Sequence, residues 1–419
     1  MRSYNIAIFT ETQCSLDYEM GTSPLRALKR IGKHNIIPID HKALYKLHGP
    51  SKIIEITKEL LRENKVEIVI FGLEGEYEFP IEYFSGLREH YFMVLHVGDD
   101  EHYFDKSSRY YSQAFDLIMT QTRLSMGRFE MYGVDSILLP PAFDISGIKN
   151  LHYEKTYDVS FIGVIINKIG RKDYLNFLIE NNIDIKIFGF GTSGGVVSRN
   201  EMCRVSGSSK IGLNFTGLAT NNCLDSDITI NRRMKQPKVR AHEIALMNTF
   251  VLAEYVPGIE EFFDIGEEID IFHDKNELLE KVKYYLEHDL KREEMAAKGF
   301  ERALLDCDEV VVWEKLLAEI GDKMEMKNNE KVEREDIIYK DPIFKRAFSS
   351  FHFSKMWEFM LQGELGKAVD EFKVFIKYPL LDWGVFLFYV QRYLASIGWL
   401  RRMVQKLKGK LRGNNVSKV

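Results

Sequence analysis

Two successive series of short apolar runs, each alternating with amphipathic stretches, constrain the fold most strongly. The first series contains YNIAIFT, NIIPID, VEIVIFG, YFMVLHVGDD and FDLIMTQ, with helix-like stretches such as SKIIEITKELLREN between them. The second begins at YDVSFIGVI and continues through IDIKIFGFG, SKIGLNFTG, TFVLAEY and EIDIFH. Short strands separated by helices are typical of an open parallel sheet. The sequence therefore predicts an α/β protein with two doubly wound, Rossmann-like domains.

The break between the two series lies near residue 150, after Pro140 and Pro141 interrupt regular structure. A chain of 419 residues is also too long for one ordinary core. We predict an N-terminal domain over residues 1–150 and a second domain over residues 151–325. Residues 326–419 then form a charged linker and a helical extension with a basic tail.

Composition excludes several classes of protein. Hydrophobic residues make up 45% and charged residues 28%, as in soluble globular proteins. The formal charge of −5 gives no general reason to expect nucleic-acid binding. The four cysteines have no partner at metal-ligand spacing, so neither a zinc site nor a disulfide framework is expected. The N-terminus lacks the pattern of a signal peptide and no apolar run reaches spanning length, which predicts a cytoplasmic protein.

A polar loop followed by QPKVRAHEIALMNTFVLAEY points to an anion site. Pro237 suits the first turn of a helix, so Lys238 and Arg240 would lie near free amide groups and the positive end of the helix dipole. An arginine and a lysine there can bind a diphosphate. Glu243, three residues after Arg240, could accept hydrogen bonds from the vicinal hydroxyls of a ribose. The same spacing also fits an exposed i,i+3 ion pair worth about 0.2–0.5 kcal/mol.

The residues that follow resemble a known family. QPKVRAHEIALMNTFVLAEYVPGIEEFFDIGEEIDIFHDKNELLEKVKYYL resembles the C-terminal donor-binding domain of GT-B glycosyltransferases, close to the CgeB-like branch and more distantly to glycosyltransferase family 4. In that branch a basic residue precedes a helix beginning R-x-F-E, and a strand, a P-x-L-E-E-x-F turn, G-x-E-I and an amphipathic helix follow. The order here is the same, and the resemblance covers most of residues 150–310.

The resemblance implies a two-domain GT-B enzyme that moves a sugar, of hexosyl type, from a nucleotide-diphosphate sugar to a glycan, lipid or protein acceptor, in surface-glycan biosynthesis. It assigns Glu243 to the donor ribose and places Lys238 and Arg240 beside the diphosphate. GT-B enzymes generally stabilise the leaving diphosphate with protein cations, so neither a metal nor a cofactor is expected. The family 4 glutamate that contacts the donor sugar is replaced by Lys235, and Met247, Asn248 and Thr249 occupy the usual glycine-containing bend.

Three further residues are candidates for the donor site. Gly163 follows the strand VSFIG and permits close backbone approach, and Asn214 ends the strand KIGLNF directly before the polar loop. Arg171 opens the next helix, where similar enzymes keep a cation for the diphosphate, although a helix-start arginine can equally be solvated. The loop GTSGGVVS could pass near the nucleobase, but glycines mostly serve turns.

On the N-terminal side, LHVGDDEHYF carries His96, Asp99, Asp100 and His102 at the end of a strand. One of these side chains could take the acceptor proton or contact the transferred sugar. His96 is similar to a histidine that ends the equivalent strand in family 4 enzymes, and His96 and Asp99 are the candidate catalytic residues. For Asp99, a helix N-cap is the competing interpretation.

The C-terminal segment combines aromatic residues with a basic end, LRRMVQKLKGKLR. Such a segment can rest on an anionic membrane surface. The alternative is a helical hairpin that packs on the catalytic body or on another subunit.

Two other functions of the whole protein also stay open, a nucleotide-sugar epimerase of the same fold and a non-catalytic scaffold.

Overall fold

The computed structural model describes residues 2–10, 24–73, 77–98, 100, 104–148, 151–166, 168, 170–217, 235–327 and 341–397. All structural statements below concern these ranges.

The N-terminal part contains six strands in one parallel sheet. They are β1 (Asn5–Phe9), β2 (Asn35–Ile39), β3 (Ile68–Leu73), β4 (Phe92–Val97), β5 (Leu117–Thr120) and β6 (Asp135–Leu138). Their order across the sheet is β2-β1-β3-β4-β5-β6. Successive side chains of a strand point to opposite faces, so Ile6 and Ile8 enter one buried cluster while Ala7 and Phe9 enter another. Burial on both faces explains why these strands read as continuous apolar runs.

Helices connect these strands. They are α1 (Pro24–Ile31), α2 (His41–Glu63), α3 (Ile81–Arg88), α4 (Arg109–Tyr111) and α5 (Arg123–Glu130). A π-helical turn, Phe104–Ser108, precedes α4, and a 3-10 turn, Ser112–Ala114, follows it. Helix α2 is kinked at Gly49, which has φ +80°, and Pro50 follows directly. Proline lacks the amide hydrogen needed to continue the helical ladder, so the kink is set by the sequence.

The second series of strands forms a separate parallel sheet. It consists of β7 (Tyr157–Ile162), β8 (Ile185–Phe188), β9 (Ser209–Asn214), β10 (Phe250–Glu254) and β11 (Asp270–Phe272). Their order is β11-β10-β9-β7-β8. The helices are α6 (Arg171–Glu180), α7 (Arg199–Gly207), α8 (Arg240–Ala245), α9 (Lys275–Glu287) and α10 (Asp289–Asp306). The predicted pair of doubly wound α/β units is confirmed.

One predicted helix begins later than expected. The sequence places its start at Pro237, but α8 begins at Arg240 and extends only to Ala245. The chain is held extended before it, because the Gln236 amide donates to the Thr216 carbonyl at 3.2 Å and Lys235 forms an antiparallel bridge with Gly217. Lys238 therefore precedes the helix instead of lying in its first turn.

Helix α11 (Glu309–Lys327) packs against the first sheet although it follows the second one. Trp313 and Leu317 are buried in the same cluster as Ile6 and Ile8. Glu309 is fully buried at the start of α11 and receives hydrogen bonds from Arg26 at 2.7 Å and Arg30 at 3.0 Å. The apolar face and the buried ion pairs fix α11 on the N-terminal unit.

The two connections between the units run side by side. The Phe143 amide donates to the Cys307 carbonyl at 2.8 Å, and the Glu309 amide donates to the Phe143 carbonyl at 3.0 Å. The chain thus leaves the N-terminal unit and returns to it at one place. The boundaries at residues 150 and 325 stay a prediction.

The last three helices of the described residues form a helical extension on the N-terminal unit: α12 (Pro342–Leu361), α13 (Leu365–Phe375) and α14 (Trp383–Ser396). Phe344, Phe348 and Phe351 of α12 belong to the same buried cluster as Phe71 and Phe79. The basic end after residue 397 lies outside the described residues. Among the described helices, none has the length and apolar character needed to cross a bilayer.

Candidate active site

The candidate site lies at the carboxyl edge of the second sheet, where ligands of open α/β sheets collect. At this edge, the ends of β7 and β8 approach each other closely. The Gly163 amide donates to the Phe188 carbonyl at 2.9 Å. A Cβ added at Gly189, which has φ +125°, would lie 2.0 Å from the Gly163 carbonyl oxygen. Glycine at position 189 is therefore required by the backbone itself, whereas a Cβ at Gly163 would lie 2.8 Å from the ring of Phe161.

Arg171 joins the ends of two strands. Its Nη1 donates to the Val164 carbonyl at 2.9 Å and its Nη2 to the Phe215 carbonyl at 3.2 Å. Burial lowers the pKa of the Arg171 guanidinium to about 10, while the charge of Glu254 acts to raise it. The side chain is therefore charged at neutral pH. The predicted diphosphate cation thus lies at the expected edge, with both terminal nitrogens bonded to backbone carbonyls.

Glu254, at the end of β10, holds the two flanks of the polar loop. Its Oε2 accepts hydrogen bonds from the Thr216 amide at 2.9 Å, the Thr216 hydroxyl at 3.1 Å and the Gly217 amide at 3.3 Å. Its Oε1 pairs with Lys235 at 3.1 Å. The predicted substrate-contacting segment between these flanks, residues 218–234, lies outside the described residues.

Glu243 lies between two arginines. Its Oε1 is 2.9 Å from Arg199 Nη1, and its Oε2 is 2.7 Å from Arg240 Nη1. The Glu243 side chain is only 8% exposed, whereas that of Arg240 is 30% exposed. The i,i+3 pair considered from the sequence therefore forms, but its carboxylate is buried and shared with a second cation.

Arg199 was missed by the sequence reasoning. It opens α7, directly after Ser198, whose hydroxyl accepts a hydrogen bond from the Glu201 amide at 3.2 Å. The spacing Ser198 to Glu201 is that of a capping box, which marks a helix start. That signal locates the helix and the arginine in its first turn, but the approach of this turn to α8 follows only from the tertiary structure.

Asn214 and Lys238 complete the predicted donor set. Asn214 is buried at the end of β9, and its Nδ2 has no hydrogen-bond partner among the described residues. Lys238 is half-buried, and its carbonyl accepts a hydrogen bond from the Ala241 amide at 3.2 Å. These six predicted residues thus lie on or just beyond the carboxyl ends of β7 and β9, on the nearby α8, or in the segment directly before α8: Gly163, Arg171, Asn214, Lys238, Arg240 and Glu243.

Of the residues predicted on the N-terminal side, His96 and Asp100 are described, in the last part of β4 and shortly after it. His96 is half-buried within the strand, next to Gly72 of β3 and Met119 of β5. Asp99 and His102 lie outside the described residues. Asp100 is buried, the Ser108 hydroxyl donates to it, and burial raises the pKa of its carboxyl group.

The carboxyl ends of the two sheets face each other. Arg123 opens α5 just after β5, and its Nε donates to Glu261 at 2.7 Å, in the turn that follows β10. Residues that follow strands of both sheets therefore meet at this ion pair. Within the described ranges, no group of three His, Cys, Asp or Glu side chains is placed to hold a metal ion. The expectations of no metal and no cofactor stay predictions.

Comparison with known proteins agrees with this architecture. Residues 171–318 match a family described as glycosyl transferase-like. Comparison with curated proteins gives no match.

Three solved structures have similar folds. Sucrose-phosphate synthase from Thermosynechococcus elongatus is 10% identical, with a TM-score of 0.52 over 78% of this chain and 100% of that one. A glycosyltransferase from Rickettsia africae is 10% identical, with a TM-score of 0.51 over 78% of this chain and 100% of that one. HepE from Anabaena, in complex with UDP-glucose, is 11% identical, with a TM-score of 0.51 over 76% of this chain and 100% of that one.

At these identities the structural likeness shows the fold alone, and the match to the glycosyl transferase-like family concerns residues 171–318. This chain thus has two parallel sheets in the arrangement of the GT-B fold, and its second unit is similar to a glycosyl transferase-like family over residues 171–318.

Proposed function

We propose that Glu243, Arg240 and Lys238 bind the nucleoside diphosphate of the donor sugar. The observation that carries this proposal is the buried Glu243 carboxylate, which Arg199 and Arg240 hold at the carboxyl edge of the second sheet. A carboxylate offers about four lone-pair positions, so it can accept bonds from two ribose hydroxyls while both arginines stay in place. Arg240, the more exposed cation, then lies beside the diphosphate.

The transfer step needs this charge. When the bond between the anomeric carbon and the diphosphate breaks, the departing oxygen gains negative charge, which Arg240 and Lys238 offset. The acceptor hydroxyl forms the new bond to the anomeric carbon and gives up its proton, for which His96 and Asp99 are the proposed bases. We propose that a hexosyl unit is transferred to a glycan, lipid-linked or protein acceptor without a metal ion. The reaction would be a step in surface-glycan biosynthesis.

Calorimetric titration with UDP, GDP, ADP, dTDP and CMP, with and without magnesium, tests the donor site. One nucleotide should bind selectively, and Glu243→Ala and Arg240→Ala should each weaken it roughly ten- to hundredfold, the effect of losing bonds to a charged group. Glu294→Ala is the matched control, because Glu294 is an exposed carboxylate that pairs with Lys298 at 2.8 Å on α10. Its affinity should equal that of the wild type.

The titration also separates the rival functions. Normal nucleotide affinity in folded Glu243→Ala would refute the assignment of the ribose site. Binding of no nucleotide would favour the scaffold. Isomerisation of a free nucleotide sugar without an acceptor would favour the epimerase.

We also infer that the protein associates with an anionic membrane surface through its helical extension. Large apolar side chains are exposed on all three helices of the extension, among them Leu361 at 69%, Leu365 at 65% and Trp383 at 64%. The basic tail follows α14 directly in the sequence. An apolar surface beside clustered cations favours binding at an anionic lipid interface.

Vesicle flotation tests this inference. The wild type should float with vesicles that contain phosphatidylserine and should float less with pure phosphatidylcholine. Trp383→Ser combined with Leu365→Ser should reduce flotation, whereas Leu305→Ser, which removes an exposed leucine on α10, should not. Equal flotation of all variants, or none by the wild type, would refute membrane association through this surface.

A further inference from the structure

Lys155 is a half-buried cation of the second unit that lies outside the proposed donor site. It stands two residues before β7. Its Nζ donates to the Gly207 carbonyl at 2.9 Å, to the Asn248 carbonyl at 2.8 Å and to the Thr249 hydroxyl oxygen at 2.9 Å. An ammonium group has three donors and no acceptor, so these three oxygens use all of its hydrogens.

The three acceptors belong to two segments that adjoin the donor site. Gly207 is the last residue of α7, and Asn248 and Thr249 lie in the bend between α8 and β10. A cation is favourable at the end of a helix, where the last carbonyls have no partner within the helix and the dipole is negative. The Thr249 hydroxyl in turn donates to the Ser206 carbonyl at 2.7 Å. Lys155 and Thr249 therefore bond the end of α7 to the bend after α8.

The opposite end of α7 carries the contact to Glu243. Arg199 is the first residue of α7, and its Nη1 lies 2.9 Å from Oε1 of Glu243 on α8. At 1.5 Å per residue, Arg199 and Gly207 are about 12 Å apart along the helix axis. Between them, Cys203 of α7 belongs to the same buried cluster as Ile244 of α8. The two helices are thus packed along α7 and bonded at both of its ends.

Burial makes the charge of Lys155 sensitive to pH. The pKa of its ammonium is lowered to about 8, because burial disfavours the charged form and the Arg292 guanidinium adds to this effect, whereas Glu293 opposes it. Both of these charged residues belong to α10, and α7 and the bend contribute two backbone carbonyls and one hydroxyl. Most Lys155 side chains are therefore charged at pH 7 and neutral at pH 9.

A neutral Lys155 cannot make all three bonds. An uncharged amine keeps two N–H donors, while three oxygens surround its nitrogen. The hydroxyl hydrogen of Thr249 is directed to Ser206, so it does not supply the missing one. One bond between Lys155 and its partners is therefore lost when the proton leaves. A weaker connection at this end of α7 lets the helix shift, and a shift of α7 moves Arg199 relative to Glu243.

We propose that the Lys155 ammonium positions Glu243 for the donor by tying the end of α7 to the bend after α8. Lys155 is a positioning residue, because it acts through the contact between Arg199 and Glu243 at the other end of the helix. Displacing a binding group by about 1 Å is enough to weaken binding strongly. This inference rests on the proposed donor site, and it adds that donor affinity falls as the pH rises from 7 to 9.

Calorimetric titration at pH 7 and pH 9 tests the proposal, with the nucleotide that binds among UDP, GDP, ADP, dTDP and CMP. The affinity of the wild type should fall roughly three- to tenfold between the two pH values, the effect of losing one hydrogen bond. Lys155→Met should bind roughly tenfold more weakly than the wild type at pH 7 and show a smaller fall, since it has no proton to lose there. Lys155→Arg stays charged, so it should bind like the wild type at pH 7 and keep that affinity at pH 9.

Lys298→Met is the matched control. Lys298 lies on α10, and its hydrogen bonds to Glu267 and Glu294 raise its pKa, so it is charged at both pH values. This variant should keep both the affinity of the wild type and its fall between pH 7 and pH 9. Circular dichroism at both pH values checks that every variant is folded.

Three results would each overturn the proposal. They are equal affinity of the wild type and Lys155→Met at pH 7, an unchanged fall between pH 7 and pH 9 in Lys155→Met or Lys155→Arg, and binding by Lys155→Arg as weak as by Lys155→Met. A wild type that binds no nucleotide would refute the donor site together with this inference. A wild type whose affinity is lost in Glu243→Ala but kept in Lys155→Met would refute this inference alone.

Discussion

Acidification should destabilise the second domain through one buried histidine. His242 lies on α8, with its ring centroid 4.7 Å from that of Phe263 and 5.2 Å from that of Phe262. Its Nδ1 has no hydrogen-bond partner among the described residues. Burial lowers the pKa of the His242 imidazole to about 3, because the apolar surroundings disfavour its charged form.

The sign and size of the effect follow from proton linkage. The unfolded chain, with a histidine pKa near 6.5, binds a proton that the folded chain excludes until the pH approaches 3. The contribution of His242 is therefore complete above pH 6.5 and is lost as the pH falls. Between pH 8 and pH 5 the loss amounts to about 2 kcal/mol of unfolding free energy.

Urea unfolding at pH 8 and pH 5, followed by circular dichroism, measures this loss. In His242→Phe, the decrease in unfolding free energy between the two pH values should be smaller than in the wild type by about 2 kcal/mol. At pH 8 the variant should be as stable as the wild type or more so, since phenylalanine brings no unpaired polar atom into the apolar site. His152→Gln, which changes an exposed histidine, serves as the control. An equal pH-dependent loss in wild type and His242→Phe would refute the reasoning.

Two substitutions test the supports of the fold and of the site. Glu309→Ala should lower the unfolding free energy, measured by urea unfolding, by about 3 kcal/mol, because it removes the buried carboxylate that pairs with Arg26. Asp306→Ala is the control, because Asp306 forms an exposed pair with Arg302, and it should change the unfolding free energy by less than about 1 kcal/mol. Equal losses would show that burial of Glu309 does not matter. Gly189→Ala should lower the unfolding free energy by more than about 2 kcal/mol and weaken nucleotide binding, because the added Cβ would overlap the Gly163 carbonyl. Gly195→Ala is also at positive φ, but its Cβ would have nothing within 4 Å, so it should lower the unfolding free energy by only about 1 kcal/mol. Similar melting temperatures for these two variants would contradict the close approach of β7 and β8.

The sequence predicts the sheets better than the side-chain contacts at their edge. Strand positions follow from local apolar runs, so both series of strands were recovered from the pattern alone. The start of α8 was wrong because the bonds that hold residues 235 and 236 extended come from Thr216 and Gly217, about twenty residues earlier. Local preference for a helix at Pro237 gave no sign of these bonds.

The bend after α8 shows how a family pattern can be met by a different residue. The resemblance predicts a glycine there, and the sequence has none at Met247, Asn248 or Thr249. Asn248 adopts φ +50°, in the left-handed region that asparagine tolerates better than most side chains. A left-handed residue in this bend is thus supplied by asparagine instead of glycine.

The packing of the extension could not be predicted from local pattern. The sequence indicated a helical hairpin but not its partner, since Tyr45 and Glu371 are 326 residues apart. Their contact places a buried carboxylate next to His352. Only the tertiary structure brings these residues together.

Lys235 is the clearest departure from the family 4 pattern, which has a donor-contacting glutamate at this position. A carboxylate does lie beside Lys235, since Glu254 is 3.1 Å away, and by position alone it is a candidate replacement supplied by β10. Its bonding argues against that role. Oε2 of Glu254 already accepts three hydrogen bonds from Thr216 and Gly217, and Oε1 pairs with Lys235, so its roughly four lone-pair positions are taken, whereas Glu243 has two such partners. Glu254 therefore anchors the flanks of the polar loop, and Glu243 remains the carboxylate best placed to bind the donor.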